Sequence, residues 1–232
     1  TIAKEDGYVH LHDANHAFPL ARGNTATFHG ASWDVPYTGE NHFEYLDWRG
    51  RYMFFKTLVR HALKHCPGIV SVDTFLLRYA QSEHPNDAGK ITVIPNYVDL
   101  EKFAPKPKKQ GDKFVFLFPR ALTKVRGTLN LLEAIRGIPD DDFEVRIVGT
   151  GPLESVVKAA ASRDPRIKVL GHKDHYAEMP AVYHDCDAVL IPSLGVEGTS
   201  LSCLEAMASG KPVIASNVGG LIDIIRNGRD GR

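Results

Sequence analysis

The sequence predicts an α/β protein with two doubly wound, Rossmann-like parallel-sheet domains. From Phe114 onward, short and nearly continuous apolar runs alternate with stretches of helical periodicity, which is typical of parallel strands covered on both faces. The first hundred residues repeat this alternation less cleanly. Between the two parts, residues 104–113 contain two prolines and no apolar periodicity, as linkers do. We therefore expect domains at 1–103 and 114–232, joined by a linker at 104–113.

The N-terminal part contains four strand candidates and one long helix. The strands are predicted in the runs YVHLHD, TATFHG, GIVSVD and ITVIPN. The helix is predicted over residues 41–65, which are rich in aromatic and basic side chains. Two interpretations of this helix stay open: it packs on the core with a basic outer face, or it is amphipathic and contacts a membrane or a partner.

The C-terminal part contains five strand candidates with helical patterns between them. The strands are predicted in FVFLFP, FEVRIVG, IKVLG, AVLIPS and PVIAS, and the helices in TLNLLEAI, PLESVVKAAAS and MPAVYHDC. Ligands of doubly wound sheets bind outside the carboxyl ends of the strands. We therefore expect functional residues in the loops that follow each strand.

Composition limits the functional classes. The 232 residues carry 28 Lys and Arg against 28 Asp and Glu, so no overall field attracts nucleic acid, and we expect no nucleic-acid partner. No apolar run is long enough to span a membrane, and no signal-peptide pattern opens the sequence. Three widely spaced cysteines favour a reducing compartment, so we expect a cytoplasmic protein. The sequence begins without methionine and closes on a turn pattern, which indicates a chain cut at both ends.

Two loops are candidates for an anion site. Arg120, Lys124 and Arg126 precede a helix that is predicted to start near Gly127, where free amides and cations together favour phosphate. The alternative is a solvated loop. The turn GTGP, Gly149 to Pro152, can bind phosphate or simply connect a strand to a helix.

Two glutamates flank the start of another predicted helix. Glu197 follows the strand AVLIPS, and Glu205 is the only charged residue in the run from Thr199 to Ser209, beside an apolar face. Carboxylates there can accept hydrogen bonds from sugar hydroxyls while helix amides hold a phosphate. The alternative for Glu205 is a structural contact with a buried basic group.

A histidine-rich run near the N-terminus invites a metal hypothesis. His10, His12, Asp13 and His16 are close in sequence, but their spacing departs from the His-x-His-x-Asp-His pattern of metal sites. His10 and His12 also share one face of the predicted strand. We expect no metal site.

The stretch EGTSLSCLEAMASGKPVIASNVGGLIDII resembles the signature of retaining GT-B glycosyltransferases of the family 4 type. In that signature two glutamates, seven residues apart, precede Ala-Met-Ala, Gly-Lys-Pro-Val-Ile and Gly-Gly. VIPNYVDLEKFAP, IVGTGPL and YHDCDAVLIPSL are similar to further family motifs, although Tyr97 stands where the family has Gly. The likeness is dense from Ile91 onward, and the N-terminal domain is incomplete relative to the family.

The resemblance implies a role for each matching residue. Glu197 would contact the donor sugar and Glu205 the ribose, and His29, in TFHGASWD, would approach the donor sugar. Trp33 and Asp34 follow the His29 loop, and two interpretations of them stay open: they line an acceptor pocket, or Trp33 packs in the core, which is the commoner role of a Trp. Arg120 and Arg126 would neutralise the diphosphate, and the amides around Thr199, Ser200 and Leu201 would bind the phosphates. The segment around Gly171 and His172 would face the base. Further donor-binding positions would be Gly149, Gly151 and Gly198.

These roles predict a retaining glycosyltransferase that moves a sugar from a nucleotide diphosphate sugar to a hydroxyl acceptor. The resemblance implies no metal and no cofactor beyond the donor substrate, and it implies a front-face displacement in which the leaving phosphate helps to deprotonate the acceptor. Two alternatives stay open: a nucleotide-sugar epimerase or hydrolase of the same fold, and a non-catalytic nucleotide-binding module.

Overall fold

The computed structural model describes residues 10–12, 24–30, 42–107, 111, 113–195 and 197–229. It confirms the predicted α/β class, with two separate sheets whose paired strands are all parallel. The chain divides into two compact units. The first comprises Thr1–Asn96 with Val196–Thr199, and the second comprises Tyr97–Gly195 with Ser200–Arg232.

The first unit contains a four-stranded sheet in the order β1-β2-β3-β4. Its strands are β1 (His10–Leu11), β2 (Thr25–Phe28), β3 (Ile69–Ser71) and β4 (Ile91–Val93), and its helices are α1 (His42–His65), α2 (Phe75–Glu83) and α3 (Pro85–Ala88). The strands lie in chain order, so right-handed crossovers place the helices on one face. On that face Leu11, Ala26, Phe28, Ile69 and Ile91 pack against α1 and α2 through Val59, Ala62, Leu63, Leu76 and Ala80.

The second unit contains a five-stranded sheet in the order β7-β6-β5-β8-β9. Its strands are β5 (Phe114–Pro119), β6 (Phe143–Val148), β7 (Ile167–Gly171), β8 (Ala188–Ile191) and β9 (Val213–Ala215). Its helices are α4 (Thr128–Gly137), α5 (Glu154–Ala161), α6 (Met179–His184), α7 (Leu201–Ala208) and α8 (Leu221–Ile224). After β7 the chain returns to the other side of β5, so the topological switch point lies between β5 and β8.

Helices cover both faces of this second sheet. Val115 and Leu117 of β5 belong to a core that also contains Tyr183 of α6 and Cys203 of α7. Phe118 belongs to a second core with side chains of α4 and α5, among them Leu131, Ile135 and Val157. Successive residues of a strand point to opposite faces, so the uninterrupted apolar run FVFLFP supplies both cores.

Candidate functional site

The candidate site is a cavity of about 350 Å³ at the carboxyl ends of the strands of the second unit. The loops after β5, β6 and β7 and the helices α6 and α7 line it. Predicted site residues among its lining are Arg120, Gly149, His172, Leu201 and Glu205. Residues that lie far apart in the sequence thus meet at the edge where a parallel sheet binds ligands.

Two glycines allow the loops after β5 and β6 to pack closely. Gly149 has a φ of +135°, and a Cβ there would lie 2.1 Å from the carbonyl oxygen of Arg120. Gly151 has a φ of +156°, and its Cβ would lie 2.6 Å from the carbonyl oxygen of Leu122. Glycine is therefore required at both positions of the GTGP turn, because a side chain at either one would separate the two loops.

Arg120 follows β5 directly, and its guanidinium is buried. One terminal nitrogen donates to Ser193 Oγ at 3.1 Å and the other to Ser200 Oγ at 3.3 Å. These serines follow β8 and precede α7, so the cation spans the switch point between β5 and β8. A fixed, buried guanidinium in this place favours an anionic ligand.

The start of α7 adds amide donors beside this cation. Ser200 is the N-cap residue with an extended backbone, and Leu201 lines the cavity. Ser202 Oγ donates to the carbonyl of Pro119 at 3.1 Å and so ties the first turn of α7 to the end of β5. Because the first amides of a helix have no acceptor within the helix, this terminus can receive a phosphate.

Glu205 lies one to two turns along α7 and is 4% exposed. Its Oε2 accepts a hydrogen bond from Tyr183 Oη at 2.8 Å, and its Oε1 is 3.7 Å from Nδ1 of His175. Burial raises the pKa of Glu205, while the Tyr183 hydrogen bond and His175 act in the opposite direction. Burial and the neighbouring carboxylate raise the pKa of Tyr183 well above its ordinary value, so the phenol keeps its proton and donates it.

Sequence reasoning missed Tyr183, His175 and Ser193. Tyr183 stands in an apolar helical pattern and is fully buried, so the sequence indicates only a core residue. His175 lies four residues after Gly171, in the loop that was expected to face the base, and its position there is the one available signal. Ser193 closes a predicted strand, which is a place where ligand contacts are common.

Two other predicted residues of the second unit, Arg126 and Gly171, do not line the cavity. Arg126 is half-buried, and its amide donates to Thr123 Oγ1 at 3.4 Å. Gly171 has a φ of +69°, and its carbonyl accepts a hydrogen bond from the amide of Gly149 at 2.8 Å. Gly171 thus ties the end of β7 to Gly149, which lines the cavity.

The remaining predicted residues belong to the first unit. His29 is exposed directly after β2, and a Cβ on Gly198 would lie 2.5 Å from the His29 carbonyl oxygen. The Thr199 hydroxyl donates to the carbonyl of Val72, and Asn96 Nδ2 donates to the carbonyl of Thr199 at 3.0 Å. Glu197 is buried. The loop from Glu197 to Thr199 is thus fixed at the carboxyl ends of β2, β3 and β4.

The structure describes only part of the histidine-rich run, namely His10 to His12. The two ring nitrogens of His10 each lie 2.7 Å from a threonine hydroxyl, those of Thr25 and Thr27. Within the described ranges, the one group of three or more His, Cys, Asp or Glu side chains close enough to share a cation is Asp140 to Asp142, exposed and just before β6 begins. Asp13, His16, Trp33 and Asp34 lie outside the described residues.

Two further observations concern the cysteines and the possibility of a membrane-spanning helix. Cys66, Cys186 and Cys203 are all buried and none forms a disulfide. Across the described ranges, no helix combines the length and the apolar character that crossing a membrane requires.

The chain is similar to glycosyltransferases over nearly all its length. It is 34% identical over 165 residues to the UDP-Gal:alpha-D-GlcNAc-diphosphoundecaprenol alpha-1,3-galactosyltransferase of Escherichia coli, a match that covers 62% of this chain and 41% of that protein. It is 29% identical over 170 residues to the phosphatidyl-myo-inositol mannosyltransferase of Mycobacterium leprae, covering 71% and 44%. The chain thus spans less than half the length of these relatives.

A solved structure and two family descriptions agree with these relatives. The crystal structure of Anabaena Alr3699/HepE in complex with UDP-glucose shares the fold, with a TM-score of 0.69, 20% identity, and coverage of 94% of this chain and 60% of that one. Residues 7–102 match the family described as Glycosyltransferase Family 4. Residues 99–232, more than half of the chain, match Glycosyl transferases group 1. The chain belongs to the glycosyl transferases group 1 family, with the GT-B fold.

Proposed function

We propose that this chain carries the donor site of a retaining glycosyltransferase, which moves a sugar from a nucleotide diphosphate sugar to a hydroxyl acceptor. The observation that carries the proposal is the cavity of the second unit, where the buried Glu205 and the buried Arg120 line one space beside the start of α7. A carboxylate recognises ribose hydroxyls, and a guanidinium with free helix amides recognises a diphosphate. The name of one relative contains UDP-Gal, and one solved structure of the same fold is a complex with UDP-glucose, which agrees with such a ligand.

The chemistry needs charge stabilisation at the leaving group. As the bond from the sugar to the diphosphate breaks, negative charge grows on the phosphate oxygens. Arg120 is already fixed by Ser193 and Ser200, so it stabilises this charge without reorganising. In the proposed scheme His172 faces the base, while Glu197 and His29 act on the donor sugar. The leaving phosphate accepts the proton of the acceptor hydroxyl, and the new bond forms on the face from which the phosphate departs.

Metal independence is part of this proposal. The cation and the helix amides at the diphosphate position supply positive charge that other enzymes take from a divalent ion. Nucleotide affinity should therefore be the same in magnesium and in EDTA. A large loss of affinity in EDTA would contradict it.

The test of the donor site is a thermal-shift titration with UDP, GDP and ADP. A ligand at about a hundred times its Kd adds about 2.7 kcal/mol to the free energy of unfolding. We expect one nucleotide to stabilise the wild-type protein and to stabilise Glu205→Ala much less. Glu133→Ala, which removes an exposed glutamate from α4 of the same unit, is the matched control and should respond like the wild type. Equal responses of Glu205→Ala and wild type would refute the site.

Product analysis separates the alternatives of the same fold. A glycosyltransferase consumes the donor only when it forms a glycoside with an acceptor, whereas an epimerase or a hydrolase converts the donor alone. A non-catalytic module binds the nucleotide and releases no product with any acceptor. Incubating the protein, expressed in full from its gene, with the matching nucleotide sugar therefore assigns the class.

We also propose that α1 contacts the cytoplasmic face of a membrane. Leu46, Met53 and Phe54 are 51%, 56% and 60% exposed on its outer side, and the exposed Arg49, Arg60 and Lys64 share that side. Apolar side chains flanked by cations match an anionic lipid surface. The relatives named above include enzymes whose names specify a diphosphoundecaprenol and a phosphatidylinositol substrate, which agrees with a lipid acceptor.

Vesicle sedimentation tests this contact. The wild-type protein should sediment with phosphatidylglycerol vesicles and not with phosphatidylcholine vesicles, and binding should fall at high salt. Phe54→Ser with Met53→Ser should reduce binding, whereas Leu129→Ser, an exposed apolar residue of α4, should not. Equal sedimentation of all variants would refute the role of α1.

A further inference from the structure

Tyr183 is a fully buried aromatic residue that carries one polar atom into the wall of the cavity. Its Oη lies 2.8 Å from Glu205 Oε2 and 3.4 Å from the carbonyl oxygen of Ser202. Phe103 packs against the ring in an edge-on arrangement, with ring centroids 5.8 Å apart. The ring is therefore held by the core, and its hydroxyl points at the one buried carboxylate of the cavity.

This contact restricts the orientation of Glu205. A hydrogen bond from a phenol to a carboxylate is charge-assisted, short and directional. It engages Oε2, so Oε1 is the oxygen on the side of His175, which itself lines the cavity. Without the Tyr183 hydroxyl the carboxylate could rotate about its terminal torsions, and Oε2 would need a new partner.

A packing role alone does not explain the hydroxyl. Phenylalanine would fill the same core volume without bringing a polar atom that needs a partner in a buried place. The hydroxyl is useful here because Glu205 is also buried and needs a donor that leaves its other oxygen available.

We infer that Tyr183 is a positioning residue for Glu205, which it holds in the orientation that receives the ribose hydroxyls of the nucleotide. The inference rests on the proposed donor site and adds a residue to it. It predicts that the effect of the Tyr183 hydroxyl on binding depends on the presence of ribose hydroxyls in the ligand.

The test is calorimetry on Tyr183→Phe in the protein expressed in full from its gene. Two ligands are compared. One is whichever of UDP, GDP and ADP binds to the wild type, and the other is the 2′,3′-dideoxy form of that same nucleotide. We expect the Kd of the ribonucleotide to rise about 10-fold, the size of one hydrogen bond to a charged group. The Kd of the dideoxy form should change by less than about 2-fold. Tyr176→Phe, which removes a hydroxyl from an exposed tyrosine beside His175, is the matched control and should leave both values unchanged.

A second comparison uses the Glu205→Ala background. There Tyr183→Phe should no longer alter the affinity for the ribonucleotide, because its partner is gone. Equal weakening of both ligands by Tyr183→Phe, or no weakening at all, would show that Tyr183 is only a core residue. If the wild type binds none of the three nucleotides, the proposed donor site is wrong, and so is the role of Tyr183. This outcome is distinct from the two Tyr183→Phe results above, in which the wild type binds its nucleotide.

Discussion

The local backbone requires glycine at position 127. It precedes α4 with a φ of +78°, and a Cβ on it would lie 1.9 Å from the carbonyl oxygen of Pro192. Gly127→Ala therefore combines a disfavoured left-handed conformation with a clash against backbone that follows β8. We expect it to lower the free energy of unfolding by about 2 kcal/mol or more, measured by urea denaturation.

Gly137 provides the matched control in the same helix. It is the last residue of α4, and a Cβ there would meet nothing within 4 Å. Gly137→Ala should leave stability unchanged or raise it by up to about 1 kcal/mol, because alanine favours the helix. Similar losses for the two variants would contradict the account of Gly127.

Part of the site could be predicted residue by residue. Glu205 stands out in the sequence because a lone charge beside an apolar helical face is costly and needs a partner. Tyr183 does not stand out, because a tyrosine in an apolar pattern is usually a core residue. The contact between them joins α6 and α7, and no local pattern reports which side chains of two helices meet.

The end of α4 is fixed by one side chain from outside the helix. Arg166, just before β7, donates through one terminal nitrogen to the carbonyl oxygens of Ile138 and Asp140 and through the other to Ile135, at 2.5, 2.6 and 2.9 Å. Asp164 forms an ion pair with it at 2.7 Å. Ile135 lies in the last turn of α4, and Ile138 and Asp140 follow the helix, so this guanidinium ties the end of α4 to the segment that leaves it.

Arg166→Lys should therefore destabilise the second unit nearly as much as Arg166→Ala. A lysine carries the charge but cannot direct several donors in one plane. The measurement is the midpoint of thermal unfolding. Lys158→Ala, which breaks the exposed pair with Glu154 on α5, should hardly change it. A lysine variant as stable as the wild type would show that charge alone is sufficient.

Helices and strands could be predicted from the sequence where a long apolar or helical pattern, or a residue that ends such a pattern, marks them. The long helix was expected over 41–65 and is α1, His42–His65, and the five apolar runs of the C-terminal part are β5 to β9. The strand order β7-β6-β5-β8-β9 could not be predicted from periodicity, since it depends on which face each crossover takes. That order creates the switch point where Arg120 meets Ser193 and Ser200.

The buried carboxylate of Glu205 should lower the stability of the whole folded protein once it is ionised. Burial raises the pKa of Glu205 above its ordinary value of 4.5, so the folded protein holds this proton at higher pH than the unfolded chain does. The folded state then binds more protons between the two values, and stability falls as pH rises from about 4.5 through the raised pKa. Above that range the ionised carboxylate is a constant cost, which a ligand with hydroxyl donors would offset.

Glu205→Gln tests this cost, because glutamine keeps an oxygen for the Tyr183 hydroxyl and removes the charge. Well below pH 4.5, where Glu205 is protonated in both the folded and the unfolded state, the variant and the wild type should unfold at the same temperature. As pH rises toward about 8, the variant should become the more stable protein, and it should bind the nucleotide more weakly. Thermal melts across this range, with the exposed Glu133→Gln as control, measure the difference. A constant gap at every pH would mean that folding leaves the pKa of Glu205 unchanged, and a variant less stable at neutral pH would mean that the folded protein stabilises the Glu205 carboxylate. Either result would contradict the proposed cost.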